Sequence, residues 1–233
     1  MIKSSKYVKK IRSTNVYDVA NKSPITKAEG LSLQYGNNIL LKREDMQPVF
    51  SFKLRGAYNK LSKLNKNGKN KLVIAASAGN HAQGVAFASL KLGLKATIVM
   101  PVTTPSIKID SVKRFGAKII LNGDNFDEAF KFAKEMSKKK KATFIHPYDD
   151  PDVIAGQGTI GMEIIEALDE DVDAIFVPVG GGGLLAGVGA YIKSINPKIK
   201  IYGVEPEDAA CLDAAVKANK RVSDRKSTRL NSS

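Results

Sequence analysis

Short apolar runs alternate along the chain with segments in which apolar residues recur three and four positions apart. The runs predict buried strands, and the segments between them predict helices that bury one face. Glycines fall where two of these helices should end, and a proline follows one strand. The predicted elements are strands 72–76, 96–100, 118–121, 143–145, 174–179 and 200–204, and helices 80–92, 106–115, 126–137, 158–168 and 184–195.

This alternation predicts the fold class, which is α/β with open, mostly parallel twisted sheets. Parallel strands need a crossover connection of a dozen or more residues, and a helix usually supplies it. Residues 147–151, with a proline at each end, divide the alternation into two series. We therefore expect two α/β units, one over about 50–145 and one from 147 onward.

The overall charge of the chain is strongly positive. Its 233 residues are 43% hydrophobic and 26% charged, which suits a globular protein of one or two domains, but the formal net charge is +14. The lysines are scattered through amphipathic patterns, only residues 138–141 form a run, and no recognised nucleic-acid motif accompanies them. We expect neither nucleic acid nor a membrane as a partner.

Cysteine and histidine are scarce. Cys211 is the single cysteine, so an intrachain disulfide is excluded, and with only two histidines the chain lacks the ligands of a structural zinc cluster. We expect no metal. No sustained apolar segment opens the chain, and glycines and a proline interrupt the uncharged stretch 174–192. These features predict a cytoplasmic protein.

Two glycine-rich turns each follow a predicted strand and precede a predicted helix. One is Ser-Ala-Gly-Asn-His-Ala-Gln-Gly at 77–84, and the other is the four glycines at 180–183. A turn of this kind aims free backbone N–H groups and the positive end of a helix dipole at an anion. Ligands in open α/β sheets bind at the carboxyl ends of strands, where both turns fall. The pattern predicts a phosphate-binding cleft.

Lys53 is the candidate nucleophile. It lies between an apolar neighbour, Phe52, and a predicted helix, and Ser51 is placed to be the N-cap of that helix. A protonated lysine would oppose the helix dipole here, whereas an amine held out of water loses its proton and attacks a carbonyl. An exposed first-turn lysine is the ordinary alternative. Together with the two turns, Lys53 predicts a phosphorylated aldehyde as ligand.

The tetraglycine loop also admits a dinucleotide interpretation. Gly181, Gly183 and Ala186 have the spacing of the dinucleotide fingerprint, and Glu205 ends the next predicted strand, where it could bind a ribose hydroxyl. An NAD-binding Rossmann module would account for the tetraglycine loop but not for the motifs at 51–56 and 77–84. A site for a phosphorylated aldehyde accounts for all three motifs.

Residues 42–59 (KREDMQPVFSFKLRGAYN), residues 77–86 (SAGNHAQGVA) and the tetraglycine loop together resemble the threonine dehydratases. That family belongs to the fold-type II pyridoxal phosphate enzymes, which are related to the tryptophan synthase β-subunit. The run Gln-Pro-Val-Phe at 47–50 is more similar to the biosynthetic than to the catabolic members. The resemblance extends from about residue 16 to about residue 222.

The resemblance implies a cofactor, a reaction and a set of site residues. It implies pyridoxal 5'-phosphate, held by Lys53 as a Schiff base, and β-elimination of L-threonine to 2-oxobutanoate and ammonia, or of L-serine to pyruvate, in isoleucine biosynthesis. Lys53 would also be the catalytic base. A serine racemase or another β-replacing enzyme of the same fold is the alternative. The implied cofactor-binding residues are Lys53, Phe52, Asn80, Gly180, Gly181, Gly182, Gly183 and Leu184, and the implied substrate-binding residues are Ser77, Ala78, Gly79, Asn80 and His81.

Two of these residues have simpler interpretations. Asn80 could satisfy amides of the helix start, and His81 could be a packing histidine.

The resemblance also implies a domain organisation. Residues 1–49 would join a large domain, residues 50–145 would form a small α/β domain, and residues 146–222 would continue the large domain with its phosphate loop. Residues 223–233 match nothing in the family pattern, which predicts a disordered or foreign tail. We expect a truncated large domain, little activity from this chain alone, a small-molecule amino-acid substrate, and a homo-oligomer for the full-length protein.

Overall fold

The computed structural model describes residues 4–66, 71–168, 172–220 and 222, so the predicted tail at 223–233 lies outside the described residues. Short 3-10 turns occur at Val16–Asp18, Glu44–Met46 and Glu207–Ala209. The strands are β1 (Ile25–Lys27), β2 (Leu40–Lys42), β3 (Leu72–Ala76), β4 (Lys95–Met100), β5 (Lys118–Leu121), β6 (Thr143–Phe144), β7 (Ala174–Pro178) and β8 (Lys200–Val204). The helices are α1 (Ser4–Arg12), α2 (Glu29–Tyr35), α3 (Lys53–Lys66), α4 (Asn80–Lys91), α5 (Ser106–Lys113), α6 (Phe126–Lys139), α7 (Pro151–Ala167), α8 (Gly183–Ile195) and α9 (Cys211–Lys217).

A four-stranded parallel sheet in the order β5-β4-β3-β6 forms the first α/β unit. Successive side chains of β3 point to opposite faces, and both faces are buried. Val73 and Ala75 pack in the cluster that contains α3, α4 and α5, whereas Ile74 and Ala76 pack against α6. The sheet therefore carries helices on both faces, as the alternation of elements predicted.

The second unit contains the parallel pair β7 and β8, with α7 and α8 packed on one face. Helix α1 packs against α7 and α8 through the fully buried Ile11. Strands β1 and β2 form a separate antiparallel pair, which is the departure from parallel pairing among the described strands. The predicted fold class, α/β with mostly parallel sheets, is confirmed.

Helix α7 begins at Pro151, so the predicted start at residue 158 is wrong. The Asp150 carboxylate caps the helix by accepting the amides of Asp152 and Val153, and proline occupies the first turn. Gly156 lies within this helix and is required by packing. A Cβ on Gly156 would lie 2.6 Å from the Arg55 carbonyl oxygen, because α3 crosses α7 at this point.

Among the described helices, none combines the length and the apolar character that a bilayer crossing requires. In the described ranges, no group of three or more histidine, cysteine, aspartate or glutamate side chains is placed to hold a metal ion.

Candidate active site

Lys53 is the first residue of α3 and is removed from negative charge. Its Nζ donates to the carbonyl oxygen of Pro147 at 2.9 Å and lies 5.3 Å from the centroid of the Phe52 ring. It forms no ion pair with any residue that the structure describes. Burial lowers the pKa of Lys53 to about 8, because water no longer solvates the ammonium form. A large fraction of this amine is therefore neutral and nucleophilic at pH 8.

The turn at residues 77–79 leads into α4 beside this lysine. The Ser77 hydroxyl accepts the Gly79 amide at 3.1 Å, which closes the turn at the carboxyl end of β3. A Cβ on Gly84 would lie 3.0 Å from the backbone of Lys53 and Leu54, so a glycine lets α4 pack closely against the first turn of α3. The structure thus brings the first glycine motif and the lysine motif together.

Asn80 and His81, at the start of α4, have different surroundings. Asn80 is exposed, and its side chain makes no hydrogen bond within the described residues, so its amide is free to bind a ligand. His81 is buried, and its Nε2 lies 3.1 Å from the carbonyl oxygen of Ile145. Burial, and next the charge of Lys53, lowers the pKa of His81 to about 3, so the ring is neutral. This geometry favours the packing interpretation for the side chain of His81, while its backbone belongs to the turn.

The tetraglycine loop connects β7 to α8 and presents unpaired amides. Gly182 has φ +79°, a conformation that favours glycine. The amides of residues 180–184 donate to no acceptor within the described residues, and they lie at the positive end of the α8 dipole. A Cβ on Gly180 or Gly182 would meet nothing within 4 Å, so the loop is open on that side. A phosphate group fits this donor set.

Glu205 does not have the surroundings that the dinucleotide interpretation needs. Its carboxylate accepts the amides of Leu212 and Asp213 at 2.9 and 3.0 Å, so it caps α9. The acid that would bind a ribose hydroxyl is engaged elsewhere.

Arg55 joins the first turn of α3 to Glu44 and Glu163, an arrangement that the sequence motifs do not predict. Its guanidinium is fully buried and forms paired hydrogen bonds with Glu44 and with Glu163. Lys42 adds a contact of 2.6 Å to Glu163. Burial alone would lower the Arg55 pKa, but the bonds to both glutamates raise it above its usual value. The charged residues clustered at 42–55 indicate that some of them could pair with one another. Glu163 is remote in sequence, so its pairing with Arg55 could not be predicted.

The expectation that Ser51 caps α3 is wrong. Its hydroxyl is buried and has no hydrogen-bond partner in the described part of the chain, and α3 begins at Lys53 with Phe52 directly before it. Phe50 adopts φ +56°, which is uncommon for a residue with a side chain. The backbone is therefore strained just before the lysine.

Comparison with known proteins agrees with this geometry. Threonine dehydratase 1 biosynthetic, chloroplastic, from Solanum lycopersicum is 56% identical over 216 residues, which are 93% of this chain and 36% of that protein. The mitochondrial threonine dehydratase of Saccharomyces cerevisiae is 53% identical over 92% of this chain and 38% of its own length. This chain therefore spans little more than a third of these two relatives.

Solved structures show the same fold. The processed form of threonine deaminase isoform 2 from Solanum lycopersicum superposes with a TM-score of 0.92 at 52% identity, over 96% of this chain and 65% of that one. Maize serine racemase superposes with a TM-score of 0.88 at 32% identity, over 94% and 67% of the two chains. The sequence profile described as "Pyridoxal-phosphate dependent enzyme" matches residues 16–233. The chain belongs to the pyridoxal-phosphate dependent enzyme family.

Proposed function

We propose that the protein carrying this chain is a pyridoxal phosphate-dependent threonine dehydratase, which eliminates water from L-threonine, releases 2-oxobutanoate and ammonia after hydrolysis, and also acts on L-serine. The observation that carries the proposal is the Lys53 amine, which has a lowered pKa and no counter-charge among the described residues, and which bonds to Pro147, next to the Tyr148 that packs on the tetraglycine loop with its unpaired amides. The 56% and 53% identities to threonine dehydratases support the choice of substrate.

We assign the site residues by their surroundings. When bound, the cofactor would supply an electron sink for the charge that remains at Cα after proton loss. Lys53 would attach the aldehyde through its neutral amine and, once released, would accept the α-proton at Nζ. The Phe52 ring would lie against the cofactor and Asn80 would bind its ring hydroxyl. The amides of Gly180, Gly181, Gly182, Gly183 and Leu184 would bind its phosphate, and Ser77, Ala78, Gly79, Asn80 and His81 would surround the substrate carboxylate.

The finer expectations belong to the same proposal. We propose the domain division at residues 49, 145 and 222, assembly of the full-length protein as a homo-oligomer, and a role in isoleucine biosynthesis. We also propose that the protein is cytoplasmic, whereas the tomato and yeast relatives are named chloroplastic and mitochondrial.

The decisive experiment is borohydride reduction in the presence of pyridoxal phosphate, followed by peptide mapping. We expect the phosphopyridoxyl group on Lys53, and Lys53→Ala should abolish labelling. Lys60→Ala is the matched control, because Lys60 lies two turns further along α3 in ion pairs with Asp150 and Asp152. Labelling of a different lysine in the native chain would overturn the assignment.

Turnover should be measured in an extended protein, in which residues 1–220 are joined to the corresponding remainder of the tomato relative. We expect threonine-dependent release of 2-oxobutanoate that Lys53→Ala removes. Serine racemase is the second candidate, favoured by the maize structure at TM-score 0.88. Conversion of L-serine to D-serine without deamination of threonine would reject the dehydratase in favour of the racemase.

A further inference from the structure

The segment 146–149 contacts both the lysine motif and the tetraglycine loop. It follows β6 and precedes α7, so it runs from one α/β unit to the other. The Pro147 carbonyl accepts the Lys53 amine at 2.9 Å, and the next residue, Tyr148, packs on the tetraglycine loop. Adjacent residues therefore contact the predicted nucleophile and the predicted phosphate site.

Contacts with Tyr148, through its ring at one position and its backbone at the other, explain why two of the four loop positions are glycine. A Cβ on Gly181 would overlap the ring carbons of Tyr148, and a Cβ on Gly183 would lie 2.8 Å from the Tyr148 carbonyl oxygen. A Cβ on Gly180 or Gly182 would meet no protein atom within 4 Å. The loop thus has one side that is open to a ligand and one side that rests on Tyr148.

The position of Tyr148 is itself fixed by His146. The two rings meet edge to face with their centroids 4.7 Å apart and an interplanar angle of 89°. Nδ1 of His146 accepts the amides of Tyr148 and Asp149 at 3.3 and 2.8 Å. The Tyr148 hydroxyl makes no hydrogen bond within the described residues, so the ring, rather than the hydroxyl, makes the contacts.

We propose that Tyr148 is a positioning residue that sets the separation between the amides of the tetraglycine loop and the Lys53 amine. This rests on the proposed function, because pyridoxal phosphate carries its aldehyde and its phosphate at a fixed separation. A loop that can shift by about 1 Å would hold the phosphate while misplacing the aldehyde, and such errors cost up to about 100-fold in reactivity. Gly181 and Gly183 are then glycine because of Tyr148, and not only because of the ligand.

The test is a double-mutant cycle between Tyr148 and Gly181 in the extended protein. We expect Tyr148→Phe to leave the dissociation constant for pyridoxal phosphate within twofold of the native value, and Tyr148→Ala to raise it about tenfold. Gly181→Ala should also raise it about tenfold in the native background. In the Tyr148→Ala background, Gly181→Ala should raise the dissociation constant by a further factor of less than two, because the absent ring leaves room for the new methyl group.

Two outcomes would overturn the proposal. If Tyr148→Ala binds pyridoxal phosphate as tightly as the native protein, Tyr148 does not position the loop. If Gly181→Ala raises the dissociation constant by the same factor in the native and the Tyr148→Ala backgrounds, the ligand alone requires glycine at position 181.

The same cycle, measured by urea unfolding without cofactor, separates this proposal from the proposed function. Non-additive free energies of unfolding support the contact between Tyr148 and Gly181 even if Lys53 is never labelled, and additive ones reject it. Missing label on Lys53 in the native protein rejects the proposed function.

Discussion

The Lys53 amine lies where no described carboxylate stabilises its protonated form. Its hydrogen-bond acceptor is the neutral carbonyl of Pro147, and its neighbour His81 is held neutral as well. Burial lowers the pKa of Lys53 from 10.5 to about 8, which corresponds to roughly 3 kcal/mol taken from the charged form. At the scale of one residue, burial destabilises the protonated form of Lys53 and so increases the fraction of the amine that is neutral and reactive.

This pKa can be measured by competitive labelling with acetic anhydride across a pH series. We expect the reactivity of Lys53 in the folded chain to rise with a midpoint near 8, and the same peptide in urea to titrate near 10.5. Between these values the unfolded chain binds more protons, so the contribution of Lys53 to the free energy of unfolding should increase with pH. A folded midpoint at 10.5 would show that the amine is solvated.

Phe50 allows a second prediction at this scale. Its φ of +56° costs free energy for any residue with a Cβ, and its side chain is 69% exposed. We expect Phe50→Gly to raise the free energy of unfolding by about 1 kcal/mol, measured in urea. Phe50→Ala keeps the Cβ and is the matched control, which should show no gain. Equal effects of the two substitutions would mean that the backbone is not strained there.

At the scale of elements, buried charges hold α3 to α7 and to the 3-10 turn at Glu44–Met46. Glu163 bonds to Arg55 and Lys42, and Glu44 bonds to Arg55, so two positive and two negative side chains compensate one another. Burial would raise the Glu163 pKa, but the bonds from Arg55 and Lys42 outweigh it and hold the pKa below its usual value. These contacts fix the first turn of α3, which carries Lys53.

Removing one of these four buried charged side chains should leave the charge of its partners uncompensated. We expect Glu163→Ala to lower the free energy of unfolding by about 3–5 kcal/mol in urea, because Arg55 loses its partner in the interior. Asp45→Ala is the control, since the Arg43–Asp45 pair is exposed, and no measurable change should follow. In the native protein, the stabilisation from Glu163 is present above pH 4.5 and should be lost as pH falls. If Glu163→Ala has the same free energy of unfolding as the native protein, Glu163 does not stabilise the fold through Arg55.

The bounds of an element can be predicted from the sequence where local residues determine them, and not where tertiary packing does. Strands 72–76, 118–121 and 200–204 have the predicted bounds, because each contains a short apolar run that ends at a polar residue. The predicted start of α7 is wrong, because the requirement for glycine at 156 and 158 comes from segments that pack against them in the fold and not from the local sequence. Pairings such as Arg55 with Glu163 depend on the tertiary fold, and no local pattern encodes them.

At the scale of the whole molecule, no described helix covers one face of the β7–β8 pair. Phe176 and Tyr202 are register partners on β7 and β8, their rings stack 5.1 Å apart, and they are 68% and 45% exposed. Val204 extends the same face and is 50% exposed. Parallel strands usually have both faces covered, and here α7 and α8 cover only the other one. The relatives from tomato and yeast are much longer than this chain.

We expect the 233-residue chain to associate through this face, because contiguous exposed aromatic surface favours contact between copies. Sedimentation velocity should show concentration-dependent association that the double substitution Phe176→Ser and Tyr202→Ser strongly reduces. Leu33→Ser is the control, because Leu33 on α2 is 87% exposed but belongs to a different surface, and this change should leave association as it was. The free energy of unfolding should change little in both cases, since all three side chains are exposed. Association that persists in the double variant, or that Leu33→Ser reduces equally, would assign it to another surface.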